Sequence, residues 1–241
     1  MSDKHLSSRF EADLLLLSTK LLEMGELVKS QIARVLDLLG AYDGAVAVRV
    51  LESERRLNAM EIEIDEEVSN VIARRQPAAC DLRRLMATSK CVTNLARAGD
   101  EARKAANRIR RIHENDGARV FQATELRKSG KMALNALRRA LDALAQMDTA
   151  EAMETFRDDE AINVESRAFA RKLVTLMRAD VRTIPIGLEY LYIAKAIGLI
   201  GDYATNIAKD VVYAVKGTAL GTTVDEVQSV CAGARSLRVN R

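Results

Sequence analysis

Two short stretches hold the residues best placed for chemistry. In GLIGDYATNIAKD (198–210), Asp202, Asn206 and Asp210 follow one another at intervals of four. On a helix that spacing sets all three side chains on one face, and a row of oxygen donors suits a hard or borderline cation. In ARAGDEARKAAN (96–107) the corresponding place has one carboxylate, Asp100, followed by Arg103 and Lys104 at three and four residues. Cations so close repel a metal and are free to pair with Asp100 themselves. The bland reading of Asp202, Asn206 and Asp210 is a solvated face; the sharper one is a cation site completed by other helices or a second subunit.

The other candidates are weaker. Glu61, Glu63, Asp65, Glu66 and Glu67 form an acidic run, and acid–base work by paired carboxylates needs a pocket that splits their pKa values; a solvated or partner-binding face suffices here. Arg108, Arg110 and Arg111 form a basic cluster able to contact phosphate groups, yet an ordinary helix C-terminus also favours cations. His5 and His113 are the only histidines and stand far apart, so neither a His-rich zinc site nor a Ser-His-Asp triad has much to draw on. Cys80, Cys91 and Cys231 are odd in number, without a CxxC pair, which suits reduced thiols; Cys80 and Cys91 read as packing residues.

Long helices must position these groups. Helical periodicity runs from about Phe10 to Leu39, with Gly40 as a stop. Asp43 offers an N-cap for a second helix reaching Arg74, in which Val50, Leu57, Met60, Ile64, Val68 and Val71 recur at helical spacing. Gln76-Pro77 ends it, because a residue before proline is pushed out of the α region. A third helix fits about Ala79 to Arg111, a fourth Thr124 to Gln146 and a fifth Thr149 to Ala179. Pro185 opens a sixth, capped by Thr183 and ending at Lys216 before Gly217. Along it Ile197, Ile200, Ala204, Ile207, Val211 and Val215 form an apolar stripe. Ala194, Gly198 and Gly201 are small enough for a neighbouring helix to come close.

Composition agrees. Of 241 residues 48% are hydrophobic and only 4% aromatic, with two prolines; Ala, Leu, Arg and Glu, all good helix formers, abound. The 37 basic and 34 acidic residues nearly cancel, which argues against a general polyanion binder such as a DNA-associated protein. The charged N-terminus shows no secretory signal. No window approaches eighteen uncharged apolar residues, so neither is a membrane span expected. The expected place is the cytoplasm.

The halves read as copies. Gly99-Asp100 falls on Gly201-Asp202, with Ala102 on Ala204 and Ala106 on Ala208, 102 residues apart. Upstream, Leu57-Asn58 falls on Ile162-Asn163, 105 apart. The expected fold is therefore all-α: two tandem, similar three-helix bundles of long antiparallel helices. Residues 1–112 form the first and 124–217 the second; the polar HENDGA stretch begins a linker (113–123), and 218–241 is a flexible tail.

LNAMEIEIDEE (57–67), QPAACDLR (76–83) and RTIPIGLEYLYIAKAIGLIGDYATNIAKDVVYAVKG (182–217) resemble the PhoU family of phosphate-signalling regulators, over nearly the whole chain up to Gly217. The resemblance implies no enzymatic step, hence no catalytic residues. It implies a negative regulator of phosphate uptake and phosphate-starvation signalling that contacts a phosphate-specific ABC transporter and a sensor histidine kinase. It also implies a homodimer that reaches the membrane only through its partners, with no nucleic acid bound. Some members bind metal clusters through a repeated Glu-x-x-x-Asp motif. Here the glutamates are replaced by Ala96 and Gly198 while both aspartates remain. The candidate ligands for a divalent or iron-type metal ion are thus Asp100, Asp202, Asn206 and Asp210, and a metal-binding bundle is the alternative function. No other cofactor is expected.

Overall fold

A computed structural model describes residues 2–115, 121 and 123–217. Among them are six α-helices, one 3-10 turn and no strand: α1 (Ser2–Leu38), α2 (Gly44–Arg75), α3 (Ala79–Glu114), α4 (Thr124–Gln146), α5 (Thr149–Ala179), the 3-10 turn Val181–Thr183 and α6 (Ile184–Lys216). At 1.5 Å per residue the longest helices exceed 50 Å. α1 starts well before Phe10, and α3 runs through His113 and Glu114, which the sequence reading assigned to the linker. Most of that linker and the whole tail lie outside the described residues.

Local chemistry sets the ends. The Asp43 carboxylate accepts hydrogen bonds from the amides of Ala45 (2.8 Å) and Val46 (3.3 Å), satisfying two of the first-turn donors a helix leaves free. Gln76, held before Pro77, ends α2 in the left-handed region at φ 46°. Gly217 does the same for α6 at φ 73°, its amide donating to Tyr213 O. One expectation changes. Thr183 does not cap α6: its hydroxyl donates to Asp180 O (2.7 Å), and Asp180 caps the 3-10 turn instead. Asp148 caps α5 through the amides of Ala150 and Glu151, after Met147 ends α4 at φ 50°.

α1, α2 and α3 pack as one bundle and α4, α5 and α6 as another; the bundles meet along α3–α6 and α1–α4. The expected stripe on α2 is buried, with Met60 partly so. On α6 the stripe is buried from Ile197 to Val211, but Val215 is exposed, although Val212 and Ala214 beside it stay buried. α6 lies against α3, α4 and α5, so it is apolar almost all round. Against the expectation, residues 181–216 are long and apolar enough by composition to cross a bilayer. Burial within the bundle is the physical reason for that composition.

The α1–α4 contact is reciprocal. A Cβ on Gly25 would meet Leu141 Cδ1 at 2.7 Å, and one on Gly130 would overlap Leu36. Gly130 and Leu141 stand 105 residues after Gly25 and Leu36. Each bundle thus lends a leucine to the glycine of the other, as across an isologous two-fold interface.

The motif glycines differ from one another. A Cβ on Gly99 would overlap Leu57, and one on Gly201 would meet Ile162 Cδ1 at 3.1 Å. Both are close-approach positions, in equivalent places. Gly198, expected to share that role, has no atom within 4 Å of an added Cβ. Gly198→Ala therefore gains helix propensity at no steric cost and is expected to raise stability by up to about 1 kcal/mol. Gly99→Ala loses stability through overlap with Leu57. Urea unfolding of the two variants checks the opposite signs.

Candidate functional site

α3 and α6 cross antiparallel: Lys90 lies over Tyr213 and Arg108 over Tyr192. Numbers rise on one helix as they fall on the other, while copies stand 102 apart. Both conditions are met together near residues 100 and 202. Each Gly-Asp pair therefore sits at the crossing, close to the local two-fold axis.

In the first bundle the space around Asp100 is filled by the chain's own cations. Arg103 Nη2 lies 2.6 Å from Asp100 Oδ1 and its Nε 2.9 Å from Glu54 Oε1, bridging α3 to α2. Lys104 Nζ reaches Asp100 Oδ2 at 2.7 Å and Glu101 Oε1 at 2.8 Å. Partial burial pushes the Asp100 carboxyl up, but hydrogen bonds from Lys104 and Arg103 outweigh it and hold the group below the usual carboxylate range. A metal does not fit here: like charges occupy the site, as the spacing of Arg103 and Lys104 predicted.

The second bundle keeps the carboxylates but has no cation at the places of Arg103 and Lys104, although the charge of Lys209 still pulls both carboxyls down. The counterpart of Glu54 is Asp159 on α5, 105 residues on; those of Arg103 and Lys104 are Thr205 and Asn206. Asp159 and Asp202 face one another. Burial first, then the charge of Asp202 and a hydrogen bond with it, pushes the Asp159 carboxyl up to about 6. Asp159 Oδ1 is buried and has no hydrogen-bond partner among the described residues, which favours the protonated acid at this position. Asn163 Nδ2 donates to the other oxygen at 3.3 Å. Two carboxylates are few for a protein metal site, and no three Asp, Glu, His or Cys side chains converge among the described residues.

The candidate ligands do not gather. Asp100 is tied to Arg103 and Lys104, Asp202 to Asp159, and only Asn206 and Asp210 share a site, a groove of about 580 Å³ between α3 and α6. Two helical turns separate Asp202 from Asp210, roughly 12 Å along the axis. Nor is their row one solvated face: Asp202 is exposed, but the Asp210 side chain is only 13% exposed. Burial pushes its carboxyl up to about 6, against the pull of Lys90 and Lys209. Asn94 Nδ2 and Lys90 Nζ approach it at 3.5 and 3.9 Å. At the far end of the crossing the corresponding pair is Arg108 and Tyr192, the guanidinium 4.4 Å from the ring centroid. Arg108 also pairs with Glu189 at 3.0 Å, with Arg111 at 3.8 Å from the same carboxylate. The sequence reading missed Lys90, Asn94, Asp159 and Glu189; for Asp159 the 105-residue offset held the signal.

The acidic run on α2 is divided rather than continuous. Glu63 pairs with Lys20 (2.6 Å), Glu67 with Arg74 (2.7 Å), and Asp65 accepts from Ser89 (2.7 Å). Cys91 is buried, which pushes its thiol well up. Cys80 is exposed rather than packed, and Cys231 lies outside the described residues.

Exposed apolar side chains mark both N-terminal ends of the crossing. Leu82 and Met86 on α3 are 38% and 43% exposed; their counterparts Ile184 and Leu188 on α6 are 39% and 43% exposed. The same rungs thus appear twice, one helical turn apart in each copy.

These features define a duplicated helical-bundle protein, all-α, whose two like halves share one charged face with apolar ends. The family model described as the PhoU domain matches residues 21–109 and 126–211. The chain is 48% identical over 220 residues to a Burkholderia protein described as a phosphate-specific transport system accessory protein PhoU homolog, covering 90% of this chain and 93% of that one. It is 36% identical over 219 residues to the phosphate-specific transport system accessory protein PhoU of Escherichia coli K12, covering 89% of this chain and 88% of that protein. The crystal structure of PhoU from Pseudomonas aeruginosa superposes with a TM-score of 0.84 at 37% identity, over 87% of this chain and all of that one. The chain belongs to the PhoU family.

Proposed function

We propose that this chain holds down phosphate uptake and phosphate-starvation signalling when phosphate is plentiful. It does so without catalysis, by docking the α3–α6 face on a phosphate-specific ABC transporter and a sensor histidine kinase. The observation that carries this reading is the duplicated face: apolar rungs at Leu82/Met86 and Ile184/Leu188, exposed at equivalent places, around a centre of paired charges. Apolar anchors inside a polar surround are the pattern of a protein contact. Relatives described as accessory proteins of the phosphate-specific transport system support a phosphate transporter as the partner. The protein acts in the cytoplasm as a homodimer and meets the membrane through its partners.

The test is Met86→Glu with Leu188→Glu, which places a carboxylate on each rung and leaves the core untouched. In a deletion strain grown with ample phosphate, wild type is expected to silence a starvation reporter and co-purify with the transporter's ATPase. The double variant loses both, by roughly tenfold or more for two buried anchors. A folded double variant that represses and co-purifies like wild type overturns the reading.

A further inference from the structure

The junction of the two bundles holds another cavity, of about 520 Å³, within the range of small-molecule sites. It opens where the turn after α1, the last turns of α3, the first turn of α4 and Tyr190 of α6 come together. Leu39, Ile109, Ile112 and Phe121 supply apolar walls, and the His113 ring is stacked on Tyr42 with centroids 4.1 Å apart. Phe121 meets Tyr190 edge-on.

Into this lining comes Arg127 of α4. Its Nε is buried and has no hydrogen-bond partner among the described residues. The guanidinium lies against Gly40, where a Cβ would come within 2.9 Å of Cζ and Nη1. α1 ends at Leu38, just before the expected stop at Gly40; Gly40 does not have a positive φ, and it also provides room for Arg127. Arg127 is partly buried as a whole; a guanidinium cannot shed its charge, and a desolvated N–H left without an acceptor is costly. α4 also begins without a side-chain cap on its first amides, which adds positive potential at the same end.

We propose that this cavity binds a small amphipathic anion: a carboxylate, phosphate or sulfonate carried on an aromatic body. The anionic group meets the Arg127 fork, which donates two parallel hydrogen bonds to such oxygens. The ring system lies among Phe121, Tyr42 and Ile109. The cavity backs onto the α3–α6 face, since Ile109 and Ile112 alternate with Arg108 and Arg111, and Tyr190 follows Glu189. A bound anion therefore bears on both helices that form one end of that face.

The test uses 8-anilinonaphthalene-1-sulfonate as probe and uncharged N-phenyl-1-naphthylamine as its control, in fluorescence titrations of the full chain. Wild type is expected to bind the sulfonate at one saturable site. Arg127→Gln weakens it by roughly tenfold or more, the size of a lost charge-assisted contact, and leaves the neutral amine unchanged. Gly40→Ala, which keeps the charge but displaces it, also weakens the sulfonate and decides the matter if Arg127→Gln does not fold. Arg178→Gln, on the exposed side of α5, changes neither probe. Sulfonate affinity that survives both site variants, or falls equally in Arg178→Gln, overturns the proposal, as does a parallel loss of the neutral amine.

Discussion

Ile162→Ala is expected to lower the unfolding free energy by about 2–5 kcal/mol, the usual cost of truncating a fully buried aliphatic side chain. Ile162 is 0% exposed, and its Cδ1 faces the bare backbone of Gly201 on α6. Truncation leaves a void with glycine on its other side, where no neighbouring side chain can swing in. For a chain of this size the midpoint should fall by roughly 2–4 °C per kcal/mol. Leu57→Ala is expected to match it, since Leu57 faces Gly99 in the equivalent way. The geometry also predicts a coupling. Gly201→Ala in the Ile162→Ala background refills part of the void and recovers about 1 kcal/mol, beyond what Gly201→Ala does alone. Strictly additive losses in the double-mutant cycle would show that the contact does not set the bundle's spacing.

The second large effect depends on pH. Asp159→Asn is expected to stabilise the protein at pH 8 and to do nothing near pH 4. The Asp159 carboxyl titrates at about 6 in the folded chain, against about 3.9 in an unfolded one. The folded state thus holds the extra proton, and stability must fall as pH rises through that interval. Above pH 7 wild type bears the whole cost of ionising Asp159 beside Asp202. The full shift amounts to about 3 kcal/mol; with solvent screening at this half-open site, about 1–2 kcal/mol is expected. Asparagine keeps the shape and cannot ionise, so the difference between variant and wild type should grow between pH 4 and 7 and level off. Melting curves across that range decide it: a difference independent of pH would show that the Asp159 carboxyl is not held protonated in the folded chain.

The helices were legible because their determinants are local. Asp43, Gln76-Pro77 and Gly217 act within one turn of where they stand, and the apolar spacing of α2 and α6 states which side faces inward. The 102-residue echo marked the two Gly-Asp pairs as equivalent, and the contacts of Lys90 with Tyr213 and Arg108 with Tyr192 then placed them at the α3–α6 crossing. What the sequence does not contain is which neighbour closes each contact. Gly198 and Gly201 look alike in the chain, yet only Gly201 has a helix against it, because α5 passes on one side of α6 and not the other. Asp202, Asn206 and Asp210 form a regular row, but the row crosses from an exposed edge into a groove and meets a different partner at each step. The Arg127 cavity draws on four elements spread from Leu38 to Tyr190, and no spacing rule connects them. Val215 marks the limit of periodicity from the other side: the apolar spacing reaches it, yet it is exposed while Val212 and Ala214 beside it stay buried.

The exchange of leucines between α1 and α4 has a consequence for where this molecule came from. Leu36 fills the notch at Gly130 and Leu141 the notch at Gly25, so either half carries both the key and the lock of the contact. A free-standing half would find its complement in another copy of itself. Fusing two such halves converts that encounter into an intramolecular one, at an effective concentration on the order of millimolar, and frees each half to diverge. The first could then supply its own cations at Arg103 and Lys104 while the second kept its acids, a division of labour that identical subunits could not sustain.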